Sequence, residues 1–198
     1  MDYNNNSSPF SLIVNHFESR ELIGIRVDWE AQRIFFNMYH SQVSLGCCLS
    51  IANEGRSLHL VFVYPFLASD PKIRPSVAEL VVRANYGLVA GSFQLDMNDG
   101  VIHLEIEHHM DDSSSLTEEM LTFLFSRGMR IADRYYPAFM QHMHSGVTPE
   151  DAIFMAELDM HADDVEVPPV STKQKTKRQT KNGGKSKKGP AEDGGTGA

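Results

Sequence analysis

The fold is decided by the stretch RPSVAELVVRANYGLVAGSFQLDMNDGVIHLEIE, residues 74–107. Its first half predicts a helix starting near Pro75, because apolar residues recur at the spacing of one helical face. These residues are Val77, Leu80, Val81, Ala84 and Leu88. Its second half predicts a β-hairpin, because apolar residues alternate with polar ones on both sides of the turn Asn98-Asp99-Gly100. A helix followed by an antiparallel hairpin is typical of an α+β domain.

Three strand-like runs precede this helix. Apolar residues alternate with polar ones over residues 33–38, 43–51 and 58–64, which is the pattern of strands with one buried face. Short, turn-rich links join the runs, so an antiparallel meander is predicted. At the start of the chain, Ser8 and Pro9 predict the beginning of a short amphipathic helix that ends near residue 21.

A long amphipathic helix is predicted over residues 116–143, with a capping box formed by Ser115 and Glu118. This helix carries two adjacent apolar stripes, whereas a helix on one face of a small sheet needs only one. Pro137 is expected to kink the helix or to remove one of its hydrogen bonds. A short final helix is predicted over about residues 148–158.

Together these elements predict an α+β fold with an antiparallel sheet of about five strands, helices on one face, and the order α-β-β-β-α-β-β-α. The folded domain is expected to span residues 8–158. The apolar periodicity is lost after that point, so residues 159–198 are expected to form a disordered tail that is first acidic and then basic.

The net charge of −8 conceals two parts of opposite sign. Residues 173–198 hold eight basic and two acidic residues, a net charge of +6, and the rest of the chain holds 10 basic and 24 acidic residues, a net charge of −14. The basic residues of the tail are Lys173, Lys175, Lys177, Arg178, Lys181, Lys185, Lys187 and Lys188. They predict either a solubilising tail or electrostatic contact with nucleic acid or another polyanion. The tail has no aromatic residue for base stacking, which argues against sequence-specific recognition.

Composition favours a cytoplasmic protein. No apolar run is long enough to span a bilayer, and the N-terminal residues lack the basic and apolar regions of a signal peptide, so no membrane association is expected. Cys47 and Cys48 are adjacent, and a bond between neighbouring residues would be strained. Two free thiols in a reducing compartment are therefore expected.

The ligand-type residues of the second hairpin strand and the following loop are His103, Glu105, Glu107, His108, His109, Asp111 and Asp112. Such side chains can bind metals, but their spacing matches no metal motif and favours a solvated strand face. The segment Gly183-Gly184-Lys185-Ser186 lacks the first glycine of a phosphate-binding loop. No catalytic residue, cofactor or metal is expected, and the chain is predicted not to be an enzyme.

Several short sequence motifs occur in a recognisable order: VAEL at 77–80, NYG at 85–87, GSFQLD at 91–96, DGV at 99–101 and DRYYPA at 133–138. In this order they resemble the bacterial YbjN-like family, whose fold is like that of type III secretion chaperones, over residues 10–156. The resemblance implies a bacterial cytosolic protein with a regulatory or protein-binding role. It brings no catalytic residues with it.

The function predicted from these observations is a non-enzymatic protein-binding module with a chaperone-like or regulatory role. The second stripe of the long helix, Phe125, Met129, Tyr136 and Met140, is rich in residues that dominate protein interfaces. One hypothesis is that this stripe is partly exposed and contacts a protein client, a regulatory partner or a second copy of the chain. The other is that it belongs to a wide core face. The alternative function is a polyanion-associated regulator that uses the Lys-rich tail.

Overall fold

The computed structural model describes residues 8–20, 22, 24–110 and 116–158. Within these residues there are four α-helices, six strands and one short 3-10 helix (Asn53–Gly55). The helices are α1 (Pro9–Glu18), α2 (Arg74–Gly87), α3 (Glu118–Ser145) and α4 (Pro149–Leu158). The strands are β1 (Arg26–Asp28), β2 (Arg33–His40), β3 (Val43–Ala52), β4 (Ser57–Leu67), β5 (Ser92–Leu95) and β6 (Val101–His109). The predicted tail, residues 159–198, and Ser115 of the predicted capping box lie outside the described residues.

All six strands form one antiparallel sheet in the order β1-β2-β3-β4-β6-β5. The predicted α+β class with a single antiparallel sheet is confirmed, with one strand more than expected. The additional strand, β1, has only three residues, which is too short for an alternating pattern to be recognised. It pairs with the first half of β2, where Val27 lies opposite Ile34.

The core lies between the sheet and the helices. On β3 the inward side chains from Val43 to Ile51 are buried and their neighbours are not, as the alternation predicted. Helix α3 packs directly on the sheet at Gly128, where the ring of Phe62 occupies the space that a side chain would need. Thr117 caps α3, because its side-chain oxygen accepts a hydrogen bond from the amide of Met120 at 3.1 Å.

Two polar side chains attach α2 to the β5–β6 hairpin. The buried guanidinium of Arg74, at the start of α2, donates hydrogen bonds to the carbonyl oxygens of Ala68, Ser69, Met97 and Asn98. Near the other end of α2, Asn85 accepts from the amide of Phe93 at 2.7 Å and donates to its carbonyl at 2.9 Å. The side-chain amide of Asn85 thus makes the two backbone hydrogen bonds that a neighbouring strand would make with Phe93 on the edge strand β5.

Helix α3 continues through Pro137 to Ser145, so the proline does not end it. The helix stops at Gly146, which has a positive φ of 70° and adopts the left-handed conformation that glycine tolerates. Helix α4 then packs against α2 and α3. It is anchored by Tyr135, whose hydroxyl donates to the Glu157 carboxylate at 2.9 Å.

Candidate protein-binding surfaces

The predicted interface stripe of α3 divides into a buried part and a half-buried part. Phe125 and Met129 are only 9% and 3% exposed. The ring of Phe125 lies 5.0–5.8 Å from those of Phe17, Phe36 and Phe62, measured between ring centroids. The expectation of partial exposure is therefore wrong for these two residues. The reason is that α3 is covered by α1 as well as by the sheet, so a second apolar stripe is needed inside the domain.

The other two residues of the stripe, Tyr136 and Met140, are half-buried. The ring of Tyr136 lies 5.9 Å from that of Phe66, near the end of β4, and 6.4 Å from that of Tyr64. Tyr136 and Met140 are therefore partly accessible at this end of α3. Contact between these two residues and a partner stays a prediction. The eight basic residues predicted to contact polyanions, from Lys173 to Lys188, lie outside the described residues.

Large exposed apolar side chains are instead found on α2 and α4. Val82 and Tyr86 on α2 are 69% and 95% exposed, and Phe154 and Leu158 on α4 are both 63% exposed. Within each helix the two residues are four apart, so they lie on the same face, one turn from each other. We call these four residues the α2–α4 surface.

The two halves of this surface are neighbours because α2 and α4 pack side by side. The Arg83 guanidinium of α2 lies 3.8 Å from the Glu150 carboxylate of α4, and Gly87 contacts the side chain of Glu157. Phe154 comes one turn after Glu150 and three residues before Glu157, so it lies on the side of α4 that faces α2. Exposed apolar side chains are thus present on both of these adjacent helices.

The sequence contains a signal for this surface beside the predicted core face of α2. The structure confirms that core face for Val77, Leu80, Val81 and Ala84. Val82 and Tyr86 share a second face at a spacing of four. An apolar pair on the face opposite the core marks an interaction surface more specifically than a wide core stripe does.

A second accessible surface is the face of the sheet that points away from the helices. Three apolar residues on adjacent strands form one cross-strand row there: Phe35 pairs with Cys48, and Cys48 pairs with Val61. All three are half-buried. Beside them, the absence of a side chain at Gly46 leaves a hollow of about 300 Å³ with an almost entirely apolar lining.

The two thiols are free and lie on opposite sides of the sheet. Cys47 points into the core, where burial raises the pKa of its thiol to about 12. Burial also raises the pKa of Cys48 on the outer face. Both thiols are therefore protonated at neutral pH, which is unlike the thiolate of a catalytic or redox-active cysteine.

Histidines and carboxylates lie at the other end of this sheet face. His59 is 3.3 Å from the Glu105 carboxylate and 3.5 Å from that of Glu107, and His109 is 3.6 Å from Glu107. Within the described part of the chain, no group of three or more His, Cys, Asp or Glu side chains has the geometry to hold a metal ion. His59 on β4 thus pairs across the strands with both carboxylates of β6, and His109 contacts Glu107 along β6.

His142 is also part of the structural framework. Its two ring nitrogens lie 2.7 Å from the carbonyl oxygen of Val147 and 3.0 Å from the hydroxyl of Ser76. The ring therefore joins the end of α3 to the first turn of α2. Among the residues described, no helix is both long and apolar enough to cross a bilayer.

The fold and these surfaces define a class of small α+β proteins with accessible apolar faces. Residues 15–141 match the model of the YbjN family, whose description is "Putative bacterial sensory transduction regulator". Since the match covers more than half of the chain, the protein belongs to the YbjN family. The match includes the whole sheet, α2 and most of α3, and it ends before α4. No curated protein and no solved structure gives a significant match.

Proposed function

We propose that this protein is a non-enzymatic regulatory module that binds a protein partner through the α2–α4 surface. The observation that carries the proposal is the exposure of four large apolar side chains on two adjacent helices. Large exposed apolar side chains grouped on neighbouring helices are typical of interaction sites on soluble domains, because leaving them in water favours aggregation. Aromatic residues such as Tyr86 and Phe154 are enriched in protein interfaces.

The charges around the surface define the chemistry of the partner. Glu79, Glu150 and Asp151 are exposed carboxylates on α2 and α4, and Arg83 lies between the two helices. The border of the α2–α4 surface therefore carries a net negative charge. It suits an amphipathic segment that presents apolar anchors to Tyr86 and Phe154 and has Lys or Arg residues at its borders.

Two further features support a regulatory role in the cytoplasm. The description of the family is that of a regulator and names no reaction. The thiols of Cys47 and Cys48 are free, as is usual in a reducing compartment. A chaperone-like role would use the same apolar surface, since a chaperone binds the exposed apolar segment of a client.

Site-specific photo-crosslinking tests the proposed surface. A photoreactive phenylalanine analogue is placed at Tyr86 or at Phe154 of the full chain, and at Tyr39 as a matched control. Tyr39 is an exposed tyrosine at the turn between β2 and β3. A common partner crosslinked from Tyr86 and Phe154 and absent from Tyr39 supports the proposal. The double variant Tyr86→Ser/Phe154→Ser should then lose at least about tenfold in affinity for that partner.

Equal crosslinking from Tyr39 and Tyr86, or full affinity in the double variant, would contradict the proposed surface. The variant should remain folded, because both side chains are exposed and substitutions of such residues change stability little. Far-UV circular dichroism and thermal melting check this point.

The second candidate function is association with a polyanion through the tail, supported by the +6 charge of residues 173–198. Binding of this kind releases counterions and weakens steeply as salt rises. Fluorescence anisotropy with a short duplex DNA, measured at several salt concentrations, should show binding by the full chain and none after deletion of residues 167–198. Binding that survives the deletion excludes the tail as the polyanion site.

A further inference from the structure

The charges at the border of the α2–α4 surface are not balanced within the two helices. Together α2 and α4 carry four carboxylates, those of Glu79, Glu150, Asp151 and Glu157, and one accessible guanidinium, that of Arg83. The Arg83 guanidinium lies 2.8 Å from the Glu79 carboxylate and 3.8 Å from that of Glu150, so one positive charge lies between two negative ones. We call these five residues the acidic border, and its net charge is −3.

The same chain contains a segment of opposite charge. Residues 173–188, which we call the basic segment, hold eight basic residues, no acidic residue and no aliphatic or aromatic one, so their net charge is +8. Opposite charges within reach of each other attract, and a segment without apolar side chains is held through charge alone. The basic segment therefore suits the acidic border but not the exposed rings of Tyr86 and Phe154.

The basic segment begins close enough to the acidic border to reach it. Helix α4 ends at Leu158, and Lys173 follows 15 residues later. A flexible chain of that length has a root-mean-square span of about 20 Å. Along α4, Glu150 is only about 12 Å from Leu158. A tether of this length gives an effective concentration on the order of millimolar at the border, so a weak attraction is sufficient to fill it.

Other carboxylates of the domain are less favourably placed for this contact. Those of β6 lie on the outer face of the sheet, on the side away from the helices. Glu118 and Glu119 lie in the first turn of α3, about 25 Å along that helix from Tyr135, which contacts the end of α4. Residues 159–166 add four further carboxylates directly after α4. The negative charge nearest to the basic segment is thus at α4.

We propose that the basic segment contacts the acidic border of its own chain and competes there with the protein partner. The competition rests on the proposed function, because it requires a partner with Lys or Arg beside its apolar anchors, whereas the contact does not. The basic segment occupies the carboxylates that such a partner uses but makes no apolar contact with Tyr86 or Phe154. A partner with both features displaces it, and a partner with charge alone does not, because the tethered segment has the higher effective concentration.

Nuclear magnetic resonance of the full chain tests the contact without a partner. The reference is the segment variant, a full-length chain with the eight substitutions from Lys173→Gln to Lys188→Gln. At low salt, the backbone amide signals of Glu79 and Asp151 should differ between the two proteins. Those of Glu18 and Glu30, which are exposed carboxylates elsewhere in the domain, should not differ. The differences should disappear at about 0.5 M salt, because exposed charges are then screened beyond about 4 Å.

Equal signals of Glu79 and Asp151 in the two proteins, or differences spread evenly over the domain, overturn the proposal. The reciprocal test is the border variant Glu79→Gln/Glu150→Gln/Asp151→Asn, in which the amide signals of the basic segment should become much less sensitive to salt.

The matched control is Glu18→Gln/Glu30→Gln/Glu54→Gln, which makes the same charge change at three exposed positions outside α2 and α4 and should behave like the wild type. Both triple variants should remain folded, because all the substituted side chains are exposed. An equal effect of the two variants shows that the basic segment responds to total charge and overturns the proposal.

A short amphipathic helical peptide of Leu and Lys, labelled with fluorescein, measures the competition. Fluorescence anisotropy gives its dissociation constant, which should be at least about threefold lower for the segment variant than for the wild type. The same eight substitutions made in the border variant should change the constant clearly less, which separates competition at the border from an effect of total charge. Equal constants for the wild type and the segment variant overturn the competition.

The failure of the proposed function has a different signature. If the Leu–Lys peptide binds neither protein, or binds Tyr86→Ser/Phe154→Ser as tightly as the wild type, the α2–α4 surface is not the binding site and the competition is refuted with it. The contact between the basic segment and the acidic border is still decided by the amide signals, which involve no partner.

Discussion

The hydroxyl of Tyr64 on β4 donates a hydrogen bond of 2.6 Å to the carbonyl oxygen of Ala132 on α3. This bond is formed next to the point where α3 lacks a donor. Pro137 has no amide hydrogen, so the carbonyl of Asp133 loses its helical partner four residues later. Burial raises the pKa of Tyr64 well above its usual value, and the hydroxyl therefore stays protonated as a donor. The Tyr64 hydroxyl thus joins the sheet to α3 one residue before the carbonyl that receives no amide hydrogen from Pro137.

Removal of this hydroxyl should destabilise the domain. Tyr64→Phe leaves the ring in place and removes the donor to Ala132, so the free energy of unfolding should fall by about 1–2 kcal/mol. Urea denaturation followed by circular dichroism measures the change. Tyr39→Phe is the control, because the Tyr39 hydroxyl donates to Ser41 at an exposed turn. An equal effect of both substitutions would argue against a special role for the buried bond.

The four hydrogen bonds of Arg74 make it the main attachment of α2 to the hairpin. Arg74→Met keeps most of the aliphatic part but leaves the carbonyls of Ala68, Met97 and Asn98 without this donor. The free energy of unfolding should fall by about 2–3 kcal/mol, since hydrogen bonds from charged groups contribute more than neutral ones. Lys72→Met, at an exposed position two residues earlier, should change it by less than about 0.5 kcal/mol. Denaturant titrations of both variants decide the comparison.

The two parts of the α3 stripe should respond differently to truncation. Phe125→Ala removes a ring that contacts three other aromatic rings, and it should cost about 3–5 kcal/mol of stability. Met140→Ala removes a half-buried side chain from the same stripe and should cost clearly less. Thermal melting of the two variants measures the difference. A well-folded Phe125→Ala protein of unchanged stability would show that this ring is not part of the core.

Stability should also decrease in mildly acidic solution because of His16. Burial is the main reason that the pKa of His16 lies below 6.5, and the nearby Arg20 lowers it further. Once the pH falls below about 6.5, the unfolded chain therefore binds more protons at His16 than the folded chain does. The contribution of His16 to the free energy of unfolding is fully present above that pH, and it is lost as the pH falls through the lower pKa of the folded state. The melting temperature of the wild type should fall over this range.

The pKa of His108 is lowered in the same direction by burial, so the wild-type curve contains both contributions. His16→Gln removes only the first one, and the difference between the two melting curves isolates it. If the variant loses as much stability as the wild type between about pH 7 and pH 5, His16 is not responsible for the acid sensitivity.

Local patterns explain why most of the architecture could be predicted. Alternation on the three meander strands and on the hairpin is a direct consequence of side chains pointing to opposite faces of a sheet, with one face buried. The turn at Asp99-Gly100 was predictable because Gly100 has a positive φ of 85°, and its position against the backbone of Ala68 leaves no room for a side chain. These signals lie within a few residues of each other.

Contacts between distant residues could not be predicted in this way. Strand β1 exists because β2 offers a free edge to three residues that have no pattern of their own. The attachment of Asn85 to Phe93 depends on where the end of α2 meets β5. Which stripe of α3 is buried depends on α1, which lies more than 100 residues away in sequence from most of α3.

The sequence by itself determined the order of the helices and of every strand except β1, the inward faces of those strands and the family to which the chain belongs, because each depends on local spacing or on short sequence segments. Only the tertiary structure decided which apolar residues are left accessible. Phe125 and Met129 are covered by α1 and the sheet, while Tyr86 and Phe154 are exposed. The physical reason is that accessibility depends on which elements pack against a face, and packing joins segments that are far apart along the chain.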